Sequence, residues 1–250
     1  MFKKLLQSTQ LKHPLDFKPF EVDMHSHLIP GIDDGVNTVE ESLEMIKGLH
    51  ELGFNKLVTT PHVMGDVYNN SQDTIKQGLD KIRIATERAF IPVDIQAAAE
   101  YLLDDTFIKR LNSEKLLTFG KHYILVEMSY LMEPVNLNHI LFDIQTAGYR
   151  IILAHAERYR FWIRKREKYQ QMIDRGVHLQ LNLLSLTGYY GKDVQKTAQW
   201  LLDNDMYSVI GTDLHNAGYL SELQKLQYHR LMQKLHEKSG NFINKDLLNG

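Results

Sequence analysis

Seven short runs rich in Val, Ile, Leu, Thr or Tyr, at 20–24, 56–60, 93–98, 123–128, 150–154, 177–183 and 207–211, alternate along the chain with segments of helical pattern. Such alternation implies parallel β/α units, because parallel strands can be joined only by a long crossover. Seven strands are enough to curl a sheet into a barrel. The clearest helix starts at Thr38, which has capping-box spacing to Glu41; Val39, Leu43, Ile46 and Leu49 form its apolar stripe, and Gly53 ends it. Further helices are expected over 72–90, 104–112, 135–147, 160–175, 192–203 and 219–238. No linker, repeat or low-complexity stretch divides the pattern. The expected organisation is a lead at 1–19, one (β/α) domain at 20–240 and a polar tail at 241–250.

Composition removes several classes of function. With 250 residues and 43% hydrophobic content the chain can bury a substantial core. A net charge of -2, with Lys and Arg scattered, gives no basic field for nucleic acid. Cysteine is absent, which excludes disulfides, thiolate zinc sites and every Cys-nucleophile mechanism, the cysteine phosphatases included. The opening MFKKLLQSTQ lacks a signal-peptide core, and no stretch approaches 18 uninterrupted apolar residues. The expectation is a cytoplasmic, soluble chain without membrane insertion.

The chemistry-bearing residues gather at strand ends. Asp23, His25 and His27 follow the first run, His62 the second and Glu100 the third; Glu127 lies near the end of the fourth, His155 follows the fifth, and Asp213 and His215 the seventh. Only the sixth lacks such a residue. In a parallel barrel all carboxyl ends of strands face one way, so these side chains converge on one mouth. His25 and His27 are alternate residues of an extended segment and can grip one ion together; Asp213 and His215 repeat the spacing. Five His, two Glu and one Asp exceed what one tetrahedral ion needs, so two or three bridged ions are expected. Imidazole and carboxylate without thiolate suit Zn, Mn or Fe. The other histidines, His13, His50, His122, His139, His178, His229 and His236, fall away from strand ends and read as structural or surface residues. Asp33 and Asp34 occupy a Gly-flanked turn, from which either can reach a leaving-group oxygen or hold a water, although Asp and Gly also favour such turns for backbone reasons.

The segments H-S-H-L-I-P-G-I-D-D-G from His25, Thr60-Pro61-His62, Glu100, Leu125-Val126-Glu127-Met128, His155-Ala156-Glu157-Arg158-Tyr159 and Thr212-Asp213-Leu214-His215 occur in an order that resembles the polymerase-and-histidinol-phosphatase superfamily. Within it, the chain is most similar to the bacterial tyrosine phosphatases encoded with capsule and exopolysaccharide genes. The resemblance implies a distorted seven-stranded (β/α) TIM-like barrel and a trinuclear site usually associated with manganese. It also implies hydrolysis of phosphotyrosine on a partner bacterial tyrosine kinase. Carried over residue by residue, it implies metal ligation by His25, His27, His62, Glu100, Glu127, His155, Asp213 and His215, with Arg158 facing the phosphate. Family sites often hold a further arginine after the last D-x-H, but here the loop reads Asn216-Ala217-Gly218-Tyr219, so Arg160 is a candidate substitute for substrate binding. The expected mechanism is in-line attack by a hydroxide held between two ions, with Asp34 as a candidate acid for the tyrosine oxygen. The alternatives are a small-molecule phosphatase, such as one acting on histidinol phosphate, and a non-catalytic kinase-binding protein.

Overall fold

The computed structural model describes residues 10–120 and 122–248, so the first nine residues of the expected lead and the last two of the expected tail lie outside it. Strands and helices alternate as β1 (Val22–Asp23), α1 (Val39–Leu52), β2 (Lys56–Thr59), β3 (His62–Val63), α2 (Gln72–Arg88), β4 (Asp94–Ala97), β5 (Glu100–Leu102), α3 (Asp105–Ser113) and β6 (Tyr123–Glu127). They continue as α4 (Leu137–Thr146), β7 (Arg150–Leu153), α5 (Arg166–Asp174), β8 (His178–Asn182), α6 (Lys192–Asp203), β9 (Val209–Gly211), α7 (Ala217–Leu226) and α8 (Leu231–Glu237). Every strand pair is parallel. The strands fall into a three-stranded sheet, β1-β2-β4, and a six-stranded sheet, β3-β5-β6-β7-β8-β9, curled about a shared interior.

The strand count therefore differs from the expected seven. Two of the expected runs each continue into a second short strand, β3 after β2 and β5 after β4. Pro61 supplies no N–H at the first break, and its carbonyl instead accepts from Glu100 N. Across the open side, Ser26 and Leu214 form an isolated parallel bridge, and Asp213 N donates to the His25 carbonyl at 2.7 Å. Below it, the buried Asp23 carboxylate accepts from Thr212 N and Thr212 Oγ1 at 2.9 and 2.7 Å.

Side-chain alternation sets up two apolar layers. Ile124 and Val126 of β6, Ile151 and Leu153 of β7, and Leu179 and Leu181 of β8 join the layer beneath the helices. Leu125, Ile152, Met24, Val58 and Val209 join Phe119 and Leu247 in a smaller interior cluster. Both sheet faces are thus covered, which is why these strands read as nearly continuous hydrophobic runs.

Helix α1 is capped as its sequence suggests. Thr38 Oγ1 accepts from Glu41 N at 3.2 Å, while Glu41 Oε2 reaches back to Asn37 N. Two expected helices are shorter than their patterns. The 160–175 segment is helical only from Arg166, because 159–165 runs in turns that seat Tyr159 and Trp162 in the core. The 219–238 segment breaks at Gln227–Arg230 into α7 and α8, where the Gln227 and Tyr228 carbonyls accept from Leu15 and Leu11 of the lead. Among the described residues, no helix is long and apolar enough to cross a membrane.

The segment expected to be a polar tail is packed. Leu247 enters the interior cluster, and buried Asn244 accepts from Ile210 N at 3.0 Å while its amide donates to the Val22 and Ile210 carbonyls at 3.0 and 2.8 Å. One amide thereby joins β1 to β9. Replacing it strands three buried backbone groups, so Asn244→Ala is expected to lose roughly 2–3 kcal/mol of stability in urea denaturation.

Candidate metal centre

All eight residues expected as ligands meet at the carboxyl ends of the strands, and seven of them are 7% exposed or less. Glu100 Oε2 lies 3.2 Å from His25 Nε2, 3.5 Å from His27 Nε2 and 3.1 Å from His62 Nδ1, while its Oε1 lies 3.0 Å from His155 Nε2. Asp213 Oδ1 lies 3.3 Å from His25 Nε2, 3.4 Å from His27 Nε2 and 3.5 Å from His215 Nδ1. Glu127 Oε1 is 3.1 Å from His62 Nδ1. Asp34 joins at the rim, half exposed, with Oδ1 at 3.3 Å from His62 Nε2 and 3.5 Å from His215 Nε2.

The orientation of the rings is fixed from outside the cluster. His25 Nδ1 lies 3.0 Å from the Gln180 side-chain oxygen, His27 Nδ1 2.8 Å from Asp33 Oδ2, and His215 Nδ1 2.8 Å from the Asp213 carbonyl. An acceptor at each of those positions makes Nδ1 the donor and turns the Nε2 lone pair inward, as metal-ligating imidazoles require. Asp213 is similarly divided: its Oδ2 accepts from Arg158 Nη1 and Asn182 Nδ2, both at 2.8 Å, leaving Oδ1 to the histidines.

This arrangement fits cations better than protons. The Nε2 atoms of His25 and His27 stand only 3.3 Å apart, so with both Nδ1 atoms protonated the two lone pairs meet unless a proton or a metal ion lies between them. His62 Nδ1 and Glu127 Oε1 are buried without a hydrogen-bond partner although they are neighbours, because their contact has the wrong angles. Buried polar groups left in that state are costly, and convergence on a common point is the geometry of a shared ion. Three overlapping donor groups result: His25, His27, Glu100 and Asp213; His27, Asp34, His62 and His215; and His62, Glu100 and Glu127.

The electrostatics agree. Burial penalises charge on each imidazole and is the largest single influence on His62, yet Glu100, Asp34 and Glu127 together outweigh it and push His62 up to about 10. His25 and His27 are raised in the same way, with burial opposed by Glu100 and Asp213 for the first and by Asp33 first for the second. Conversely, burial would raise Glu100 and Asp213, but the histidines, His25 foremost, hold both carboxyls well below their usual range.

Backbone geometry is adapted to the site. His155 and Asp213 both adopt left-handed φ values, +33° and +53°, unusual for residues with a side chain and a form of strain typical of functional positions. At two glycines a Cβ has no room. One on Gly35 would lie 2.5 Å from His27 Cβ, and one on Gly211 2.6 Å from His25 Cβ.

The cluster opens into a cleft of about 290 Å³, lined also by Met64, Tyr130, Arg158, Asn216 and Tyr219. Arg158 projects into it with its guanidinium carbon 4.1 Å from the Tyr190 ring centroid and 4.7 Å from that of Tyr130. Arg160 does not line the cleft. It is exposed and borders an adjoining groove. The loop after His215 brings no cation; Asn216 instead caps α7 by accepting from Gly218 N and Tyr219 N. The remaining described histidines lie elsewhere, such as His236 on the Asp16 carbonyl and His50 on the Phe54 carbonyl.

Sequence reading missed the supporting layer. The sixth expected strand, β8, contributes Gln180, which holds His25 Nδ1 and His155 N, and Asn182, which holds Asp213. A search for ionisable strand ends passes over amides, although their alternation between Leu179, Leu181 and Leu183 was a signal that the inward face of this strand is polar. Asp33, read as a turn residue, fixes His27 and accepts from His62 N. Glu157 of the H-A-E-R-Y segment accepts from Asn182 N and Tyr207 Oη, tying the turn after β7 to β8.

A curled parallel α/β fold with a buried imidazole and carboxylate cluster at its strand ends defines the class. The chain matches the family "Capsular polysaccharide synthesis, CpsB/CapC" over residues 21–245, and it belongs to that family. It is 25% identical over 196 residues to tyrosine-protein phosphatase YwqE of Bacillus subtilis, covering 78% of this chain and 77% of that one. It is 24% identical over 215 residues to tyrosine-protein phosphatase CpsB of Streptococcus agalactiae, covering 82% and 88%. Among solved structures, it superposes with a TM-score of 0.80 on a chain from the crystal structures of YwqE from Bacillus subtilis and CpsB from Streptococcus pneumoniae, described as unique metal-dependent tyrosine phosphatases. That match has 23% identity and covers 91% of this chain and 94% of the other. A lactonase from Listeria monocytogenes shares the fold more distantly, at a TM-score of 0.54 and 10% identity.

Glu100 belongs to two of the donor groups. Glu100→Gln is therefore expected to reduce bound divalent metal by at least one ion per chain in elemental analysis, with the far-UV circular dichroism of the wild type retained.

Proposed function

We propose that this chain is a metal-dependent protein-tyrosine phosphatase acting on a phosphotyrosine protein, a bacterial tyrosine kinase of capsular or exopolysaccharide synthesis. The observation that carries the reading is the cleft itself: the buried donor cluster forms its floor, and Arg158, clasped by two tyrosine rings, stands in its wall. Membership of the CpsB/CapC family and the named activity of its relatives support the same reaction.

His25, His27, His62, Glu100, Glu127, Asp213 and His215, with His155 added by the resemblance and by its place beside Glu100, would hold two or three divalent ions, Mn2+ by resemblance, with Fe or Zn also compatible with these donors. When bound, such ions supply Lewis acidity toward phosphoryl oxygens and lower the pKa of water. The remaining steps belong to the chain. Arg158 offers its unpaired guanidinium edge to phosphoryl oxygens and offsets charge developing on them. Asp213 and the rings of Tyr130 and Tyr190 hold that guanidinium in place before substrate arrives. Asp34 stands at the mouth, near enough to His62 and His215 to act as a ligand; these two histidines hold its carboxyl well below the usual range, so its catalytic role is to accept from and orient a water at the departing oxygen. A water oxygen bonds to phosphorus in line as the P–O bond to the aryl oxygen breaks, giving inorganic phosphate, and phenolate leaves readily enough that acid assistance matters less than for an alkyl ester.

The same reading treats β2 with β3, and β4 with β5, as single broken strands, which gives a distorted seven-stranded barrel. Residues 20–240 form its domain, against which the described lead and the C-terminal segment pack, and the protein is placed in the cytoplasm with its kinase.

Arg158→Ala is expected to keep its metal and lower kcat/KM toward a phosphotyrosine peptide about 10²- to 10³-fold. His27→Ala should lose both metal and activity, and a chelator should abolish wild-type turnover until divalent ion is restored. Assays on phosphotyrosine peptides and histidinol phosphate in parallel test the substrate; a strong preference for the latter overturns the assignment, and a metal-replete protein inert to aryl phosphates indicates a binding role.

A further inference from the structure

The cleft does not end at Arg158. It continues into a groove of about 550 Å³ that shares Tyr130 and Arg158 with it and adds Leu131, Arg160, Tyr189 and Tyr190. Beyond lies a further hollow of about 470 Å³, which shares Arg160 and Tyr190 and adds Arg164, Lys165 and Lys192. The path from the metal centre outward is thus aromatic first and basic afterwards.

The charge on this path is unbalanced. The chain as a whole carries -2, yet Asp193 is the only carboxylate among the residues lining the two hollows. Nearby, Arg158 is paired with Asp213 and Lys168 with Glu133, whereas Arg160, Arg164 and Lys192 have no carboxylate oxygen within 4.0 Å among the described residues. Lys192 is the first residue of α6, the end of a helix where a cation is electrostatically unfavourable, so helix stability does not account for it. The nearer part of the groove leaves Leu131 88%, Tyr189 46% and Tyr130 42% exposed, giving apolar surface next to the cations. Exposed aromatic and aliphatic groups beside unpaired cations form a surface complementary to an acidic chain bearing apolar side chains.

We propose that this groove is a substrate subsite that binds the peptide segment flanking the phosphotyrosine and selects for Asp and Glu in it. The inference rests on the phosphatase reading above and deepens it: the cleft recognises the phosphoryl group, and the groove recognises the sequence. Its concavity and its direct opening into the cleft favour a peptide over a lipid surface, which would meet a flat or convex face.

The test compares two phosphotyrosine peptides, one with Asp and Glu flanks and one with Ser and Gly flanks, alongside p-nitrophenyl phosphate, on the metal-replete wild type and on Arg164→Glu/Lys192→Glu. Neither substituted residue lines the cleft. The wild type is expected to favour the acidic peptide by about five- to tenfold in kcat/KM, chiefly through KM, with the preference shrinking as salt rises. The double variant should lose that preference while hydrolysing p-nitrophenyl phosphate at the wild-type rate. Fluorescence anisotropy with a labelled, unphosphorylated acidic peptide should show weaker binding to the variant, a readout that does not need turnover.

Turnover of all three substrates with no flank preference overturns the subsite and leaves the phosphatase reading standing. Turnover of none overturns the phosphatase reading and the subsite with it. A variant that slows p-nitrophenyl phosphate as much as the acidic peptide shows that the cations act on the cleft and not on the flank. Loss of co-sedimentation with phosphatidylglycerol vesicles, with peptide kinetics unchanged, reassigns the groove to a membrane surface.

Discussion

Four imidazoles face one fully buried carboxylate, Glu100, at distances of 3.0 to 3.5 Å, and much of the local architecture serves to make that concentration of charge tolerable. A carboxylate removed from water is stable only when paired and hydrogen-bonded, and the histidines that pair with it must themselves be held. The support comes from a surrounding layer of Gln180, Asp33, Asn182 and the Asp213 carbonyl, each of which occupies the outward side of a residue of the cluster. The two glycines at 35 and 211 serve the same end by letting backbone approach His27 and His25 more closely than any side chain permits.

Beneath the cluster the interior changes character abruptly. Leu125 and Ile152, with Val58 and Val209, fill the lower part, and Phe119 and Leu247 close it. The polar mouth therefore sits on an apolar plug, and the donors cannot sink away from the cleft without meeting hydrocarbon. Strand β8 shows the change within a single element, since Leu179 and Leu181 pack beneath helices while Gln180 and Asn182 point to the centre.

Much of this was legible in the sequence because it follows from periodicity. Alternating β and α patterns gave the parallel sheet, and ionisable residues at strand ends gave the eight residues that meet there, although Asp34 of the turn also joins a donor group and His155 joins none of the three. What could not be read depends on contacts between distant segments. Pro61 follows one expected strand, but that the chain then forms β3 and pairs it with β5 depends on a distant segment. The expected 219–238 helix breaks where the lead takes its carbonyls, a competition invisible to local propensity. The polar composition of the final segment concealed Asn244, whose amide is buried because it serves backbone groups of β1 and β9. Arg160 is a related case: proximity in sequence to Arg158 does not survive the turns after β7, and it emerges outside the cleft, in the adjoining groove.

The seam between the first and last strands has a consequence for when the centre can exist. Asp23 and Thr212, which join it, are 189 residues apart, and the seam brings His25 and His27 against Asp213. Neither end of the chain alone holds a competent set of donors. Ions with affinity for the assembled cluster therefore favour the joined form by mass action, and opening the seam releases them as it unfolds the site. Metal occupancy and closure of the sheet are in this sense one equilibrium, observed from two sides.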